Sequence, residues 1–241
     1  MSELSPEDNI FQEKIKDLID DLNKATIFSP EWIAQMLSSI SPENGEQLEN
    51  EKVQIYRLKN FLTDEECDFW VDKLKDRTEP SKIFGGEEDY RVSKSCTLAA
   101  TQDEEIILKS LELDVKISNA LNIHPSYGEP IEFERFQSGD FFKVHTDYFD
   151  AGTFDSQEVA RHQGQRTWTF AIYLNKPEQG GLTRFPLLEN VEIIPEKGMA
   201  IAWNNISPNA FTNELTAHQE EVVLKGSKNI LTKCFRDRVL N

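Results

Sequence analysis

RTWTFAIYL, residues 166–174, is a run of β-branched, aromatic and aliphatic residues without glycine or proline. Such a run reads as a strand. Seven more β-type runs follow Tyr127 on either side of it: PIEFERF (130–136), DFFKVH (140–145), LTRFP (182–186), VEIIP (191–195), GMAIAW (198–203), EEVVL (220–224) and NILTKCF (229–235). Clusters of Gly, Pro, Asn and Asp separate them, the punctuation of turns between short strands. Eight short strands at close spacing suit a double-stranded β-helix, a jelly-roll sandwich of two sheets.

The residues ahead of this region alternate between strand and helix. VQIYRL (53–58) reads as a strand, and Thr63-Asp64-Glu65-Glu66 as a capping box opening a helix with Cys67, Trp70, Val71 and Leu74 on one face. A strand is expected around Tyr90 to Leu98. Thr101 to Glu104 repeats the capping-box pattern before a second helix with Ile107, Leu108, Leu111 and Val115 turned inward. Further upstream, Phe11, Ile15, Leu18, Ile19 and Leu22 recur at helical spacing. Ser29-Pro30 then offers an N-cap and first-turn proline before Ile33, Met36, Leu37 and Ile40, and the polar run SPENGEQLENEK ends the segment. The expected organisation is an N-terminal helical extension over 1–50 and a β-rich α+β domain over 51–241, with helices packed on one sheet of the jelly roll.

Composition narrows the function. With 43 acidic against 26 basic residues and a net charge of −17, the surface repels phosphate backbones and anionic lipid, so neither nucleic acid nor membrane is an expected partner. A neutral or basic substrate suits this charge better. Apolar content of 38% with 15 Phe and 4 Trp is ample for a packed core. No stretch approaches the roughly 18 apolar residues of a spanning helix, and the opening MSELSPEDNIFQEK lacks the basic and apolar regions of a signal peptide. The expectation is a soluble cytoplasmic protein. Cys67, Cys96 and Cys234 are far apart with no CxxC pair, which fits reduced, core-filling thiols.

The chemistry is carried by few residues. His145-Thr146-Asp147 is followed 73 positions later by His218, and Lys228 lies ten beyond that. Residues two apart in a strand share a face, so His145 and Asp147 can converge on one ion. Two histidines and one carboxylate cap one face of an octahedral Fe(II) and leave three positions for a co-substrate and dioxygen. Lys228 can anchor an anionic co-substrate, with Thr169 supplying a hydroxyl beside it. Asp147 itself discriminates: a carboxylate in the third facial position leaves no vacancy for chloride, so hydroxylation is expected over halogenation.

Residues 127–238 resemble the catalytic domain of the Fe(II)/2-oxoglutarate-dependent prolyl 4-hydroxylases. The matching segments are HTD at 145–147, GQRTWTFAIYLN at 164–175, GGLTRFP at 180–186, PEKGMAIAWNN at 195–205 and H…VLKGSK over 218–228. YRVSKSCTL (90–98) is similar to the family's Arg/Ser-rich strand. The resemblance implies His145, Asp147 and His218 as the catalytic iron ligands and Lys228 with Thr169 as the partners of the co-substrate's distal carboxylate. It also implies Fe(II), 2-oxoglutarate and O2 as cofactor and co-substrates, with ascorbate as an accessory reductant. The implied reaction is hydroxylation of a C–H bond of a prolyl residue in a peptide or protein, with release of succinate and CO2. Gly180-Gly181 and Gly198 then read as turn residues between strands.

Two departures from the family pattern stand out. Phe136 and Phe142 replace tyrosines often found ahead of the His-x-Asp triplet, which removes a hydroxyl. Gln-Glu-Glu follows His218 where the family favours small residues and proline. Arg91, on a strand expected to face the site mouth, and Arg166 are candidate substrate contacts, with a surface ion pair as the alternative for Arg91. The polar segment 148–165 reads as a loop or lid over the site. Two other functions stay open: a hydroxylase of a free amino acid or small metabolite, and a non-catalytic jelly-roll binding protein.

Overall fold

A computed structural model describes residues 45–48, 52–82, 90–149, 154–189, 191–207 and 211–240. The helices expected within 1–50 lie outside these residues. The larger sheet has eight strands, in the order β1 (Glu46–Gln47), β2 (Ile55–Leu58), β12 (Ala200–Asn204), β8 (Arg166–Tyr173), β15 (Ser227–Arg236), β6 (Glu132–Gln137), β5 (Lys94–Thr97) and β3 (Glu79–Pro80). The smaller has five: β11 (Glu192–Ile193), β10 (Thr183–Arg184), β13 (His218–Glu220), β7 (Phe141–His145) and β4 (Arg91–Val92). A ribbon of β9 (Gln179–Gly180) and β14 (Val223–Lys225) accompanies them. The jelly roll is therefore present, and β1 carries its larger sheet back to Glu46, inside the segment assigned to the extension.

Strand alternation divides the larger sheet into two faces. Phe170 and Ile172 of β8, Ala200 and Ala202 of β12, and Leu231 and Phe235 of β15 pack with Trp70 and Leu74 of α1 (Asp64–Leu74) and with Ile106, Leu113, Ile117 and Leu121 of α2 (Glu104–Leu121). Their neighbours Ala171, Tyr173, Ile201, Trp203 and Ile230 point the other way, into the space between the sheets, where Phe185 and Ile193 meet them. So RTWTFAIYL shows no alternation of apolar and exposed polar residues, because from Thr167 onward it is covered on both sides. Lys233 sits on the helix-facing side, 1% exposed, and ties β15 to α2 through Asp114 at 2.7 Å and to the Glu129 carbonyl at 3.0 Å.

Local chemistry sets the element ends. Thr63 caps α1 as expected, its hydroxyl accepting from Glu66 N while Glu66 accepts from Thr63 N. At α2 the cap is Asp103 and not Thr101: Asp103 Oδ1 accepts from the amides of Glu105 and Ile106, whereas Thr101 Oγ1 accepts from Asp103 N and from Arg77 Nη1. The buried stripe of α2 is also rotated from the expected one. Ile106, Leu113 and Ile117 are buried, whereas Ile107, Leu108, Leu111 and Val115 are half-buried, because both stripes are apolar and the sheet selects one. The expected strand over 90–98 splits at Ser93, and β4 joins the small sheet while β5 joins the large one. EEVVL is likewise divided, into the end of β13 and the start of β14. The expected loop over 148–165 contains a helix, α3 (Phe154–Gln163). Gly198 adopts φ 76°, and a Cβ there would lie 2.2 Å from the Leu62 carbonyl, so only glycine fits this turn. Cys67, Cys96 and Cys234 are free thiols. No helix among the described residues is long and apolar enough to cross a membrane.

A buried ionic clamp closes the end of the large sheet. Glu129 accepts from Arg166 Nε and Nη2 at 2.6 and 2.7 Å and from Arg236 Nε at 2.5 Å, so one carboxylate joins the ends of β8 and β15. Burial by itself would raise the Glu129 pKa, but the two guanidinium groups outweigh it and hold the carboxyl below its usual range. A depressed folded-state pKa contributes stability above the unfolded value of about 4.3, and that contribution is lost as the pH falls through the folded value. Glu129→Gln is expected to lower stability by about 3 kcal/mol at pH 7, on the scale of breaking a buried ion pair. Urea unfolding at pH 7 and pH 3.5 checks this: the gap from the parent chain should narrow at the lower pH, and a gap independent of pH rules the clamp out.

Candidate active site

The two histidines meet by register. β7 and β13 are antiparallel neighbours in which His145 pairs directly with His218, and their ring centroids are 4.2 Å apart. Each ring is oriented by the carbonyl two residues earlier: His145 Nδ1 to Lys143 O and His218 Nδ1 to Thr216 O, both 2.9 Å. With Nδ1 engaged as a donor, Nε2 of each ring keeps its lone pair for a metal. Asp147 follows the end of β7, its Oδ1 3.7 Å from His145 Nε2 and 3.9 Å from His218 Nε2. Asp147 Oδ2 accepts from Thr169 Oγ1 at 2.6 Å, and Thr169 accepts from Asn205 Nδ2 at 3.0 Å, which leaves Oδ1 as the free ligand atom.

These donors fit one Fe(II). One ligand atom from each of the three residues lies within 4.8 Å of the others. Adjacent ligands about 2.1 Å from a common ion at right angles lie about 3 Å apart, so the separations of Asp147 Oδ1 from the two Nε2 atoms, 3.7 and 3.9 Å, need to shorten by about 1 Å or less to share a metal. Burial, then the neighbouring His218, pushes the His145 pKa down to about 3, so its imidazole is neutral at pH 7. Burial alone would raise Asp147, but His218, His145, Arg166 and the Thr169 hydroxyl hold it below its usual range. A neutral imidazole and an anionic carboxylate are the states that bind a metal. Phe142 stacks on His145 at 3.5 Å and 11°, while Phe185 and Trp203 flank His218. The position that lacks a tyrosine hydroxyl thus supplies a stacking surface for a ligand ring, and Phe136 is fully buried in the core between the sheets.

Lys228 forms a second polar centre. It is fully buried and reaches Thr183 Oγ1 at 3.0 Å and the carboxylate of Glu220. Thr183 donates to Glu220 Oε2 at 2.7 Å and accepts from Tyr173 OH at 2.8 Å. Burial pushes the Lys228 pKa down against the opposing pull of Glu220. Thr169 is not beside this lysine, contrary to the expectation. It pairs in register with Cys234, six residues along β15 from Lys228 and about 20 Å of extended strand away. The hydroxyls next to Lys228 belong to Thr183 and Tyr173. Glu220 was legible as an interior residue, because it stands two positions from His218 on the same strand and shares its face.

The two arginines singled out as substrate contacts are engaged within the protein. Arg91 binds Glu134 at 2.6 Å and Ser93 at 2.8 Å and lies over the Phe142 ring, which is the ion-pair alternative. Arg166 belongs to the Glu129 clamp, and its Nη1 also donates to the Asp147 carbonyl at 3.3 Å. Gln165 pins the segment after the triad, accepting from Phe149 N at 2.7 Å and donating to Phe149 O at 2.9 Å. Arg166 and Arg236 both stack on the Phe149 ring.

Comparison with known proteins agrees with this geometry. Residues 131–236 match the family model of the 2OG-Fe(II) oxygenase superfamily. Prolyl 4-hydroxylase 13 of Arabidopsis thaliana is 29% identical over 204 residues, covering 77% of this chain and 72% of that protein. The α-1 subunit of Gallus gallus prolyl 4-hydroxylase is 25% identical over 196 residues, 78% of this chain but 36% of that longer protein. Among solved structures, the viral collagen prolyl hydroxylase of Paramecium bursaria Chlorella virus-1, in complex with 2-oxoglutarate, has a TM-score of 0.57 at 25% identity and covers 76% of this chain and 95% of that one. A Pseudomonas putida prolyl 4-hydroxylase shares the fold, with a TM-score of 0.53 at 18% identity and coverage of 87% of this chain and 100% of that one. Jelly roll, convergent His-Asp-His donors and these matches together identify residues 131–236 as a 2OG-Fe(II) oxygenase domain similar to those of the prolyl 4-hydroxylases.

Proposed function

We propose that this chain hydroxylates a prolyl residue within a peptide or protein. The observation that carries the chemistry is the preoriented ligand set, in which each histidine is held through Nδ1 and Asp147 through Oδ2, so that three free donor atoms face one point. His145, Asp147 and His218 hold Fe(II), Thr169 and Asn205 orient the carboxylate, and Lys228 with Thr183 and Tyr173 receives the distal carboxylate of 2-oxoglutarate. Bound there, iron and 2-oxoglutarate supply the electrons that reduce O2, one oxygen atom going to the substrate C–H and the other to succinate as CO2 leaves. The chain's part is to ligate, to orient and to exclude water, and no side chain is needed as a general base. Phe142, Phe185 and Trp203 keep the ligand face dry.

The prolyl substrate is supported by the relatives, which are named as prolyl 4-hydroxylases, and by charge. A prolyl segment is neutral and already extended as polyproline II, so ordering it in a groove sacrifices little entropy. A surface of net charge −17 adds attraction for lysine or arginine beside the proline.

Two measurements test this reading. Anaerobic titration with Fe(II), or with Mn(II) as its redox-inert stand-in, is expected to give one tight site that His218→Ala abolishes. Thr169→Val should weaken that site roughly 10- to 100-fold, the usual effect of removing a group that orients a metal ligand. Unaltered metal affinity in both variants contradicts the assignment. In the second measurement, the iron-loaded protein is given 2-oxoglutarate, O2 and a panel of peptides and free amino acids, and mass spectrometry reads a gain of one oxygen. Proline flanked by basic residues should react best, less so at high salt. Turnover of free amino acids alone would replace the peptide substrate with a small metabolite.

A further inference from the structure

The cation that would hold 2-oxoglutarate already has a carboxylate. Lys228 is fully buried, and Glu220 lies against it, with the Thr183 hydroxyl bridging the two by accepting from Lys228 and donating to Glu220. The placement follows from the fold. Glu220 shares the inward face of β13 with His218, and Lys228 projects from β15 of the opposite sheet, so the two meet across the sandwich next to the metal ligands. Glu220 also pairs in register with Thr183 on one side and Phe142 on the other, which fixes its backbone within the small sheet. A small residue at this position would leave the lysine free for an incoming anion.

We propose that Glu220 is a built-in competitor for the distal carboxylate of 2-oxoglutarate and sets the affinity and selectivity of the co-substrate site. This rests on the reading of Lys228 as the co-substrate anchor. The argument is one of charge. Lys228 and Glu220 form a neutral buried pair, and a second carboxylate on the same ammonium leaves a net buried negative charge. The distal carboxylate therefore binds only as Glu220 gives up its hold on Lys228, and the energy of the internal pair is subtracted from that of the external one. The parent chain should accordingly bind 2-oxoglutarate weakly and distinguish it poorly from a 2-oxo acid with an uncharged tail.

The test measures binding to the Mn(II)-loaded full chain by calorimetry, independently of turnover. Glu220→Gln keeps the size of the side chain and an acceptor for Thr183 and Lys228 but removes the charge. It is expected to tighten 2-oxoglutarate binding roughly tenfold or more, the order found when a buried charge changes partners. Binding of 2-oxovalerate, which ends in a methyl group, should change little. Glu221→Gln, an equal change of net charge on the outward residue paired with Arg184, should leave both affinities as they are. The parent chain alone supplies a second arm that needs no variant: its preference for 2-oxoglutarate over 2-oxovalerate should be less than about tenfold if Lys228 is already neutralised. Equal 2-oxoglutarate affinity in parent and Glu220→Gln, or a strong preference for it in the parent, overturns the competitor role while leaving the dioxygenase reading intact. Absence of metal-dependent 2-oxoglutarate binding in every protein takes down both.

Discussion

The antiparallel pairing of β7 with β13 is the constraint on which the site depends. It sets His145 directly opposite His218, and the register then shifts so that Glu220 faces Phe142. One residue of β13, Gln219, thus opposes two of β7, Lys143 and Val144, an irregularity that bends the longer strand and re-aims its side chains. Asp147 comes off the end of this bent strand toward the same point. A slip of one residue in this pair would turn His218 and Glu220 outward and Gln219 inward, removing the ligand and the carboxylate together. The site is therefore a property of register before it is a property of individual side chains.

The charged groups at the site and at the neighbouring end of the large sheet are matched with one another. Asp147 faces two imidazoles and the Thr169 hydroxyl, Lys228 faces Glu220, and Glu129 faces two guanidinium groups. Removing one member of such a set leaves its partner charged and buried, which is far more destabilising than removing the whole pair. The clamp around Glu129 also has a positional effect, since Arg166 holds the Asp147 backbone while it holds Glu129. Stability and ligand geometry are consequently carried by some of the same side chains.

Much of this was legible in the sequence, and the remainder was not for physical reasons. The β-rich sandwich could be read from RTWTFAIYL and its neighbours because strand composition and turn residues are local signals. The convergence of His145, Asp147 and His218 could be anticipated because strand alternation and metal chemistry restrict the options. The position of Thr169 could not, since whether it lies by Lys228 or by Asp147 depends on how β8 registers with β15, which no local pattern specifies. The stripe of α2 was misread for a similar reason: two adjacent apolar faces compete, and the sheet decides between them. Glu220 was visible as a departure from the family pattern, but its partner lay on the opposite sheet.

Strand β8 joins these levels. Its outward residues Phe170 and Ile172 anchor the helices, while its inward residues Thr169 and Tyr173 serve two different polar centres. Thr169 touches the Asp147 carboxylate and Tyr173 the hydroxyl beside Lys228. The two stand four positions apart on extended chain, about 13 Å along the strand. The separation between the metal ligands and the lysine is therefore fixed by strand geometry within a sheet buttressed by two helices. Such a frame can admit a co-substrate of one length with little rearrangement of backbone, and the adjustable element left in it is a side chain, Glu220, poised on the same lysine.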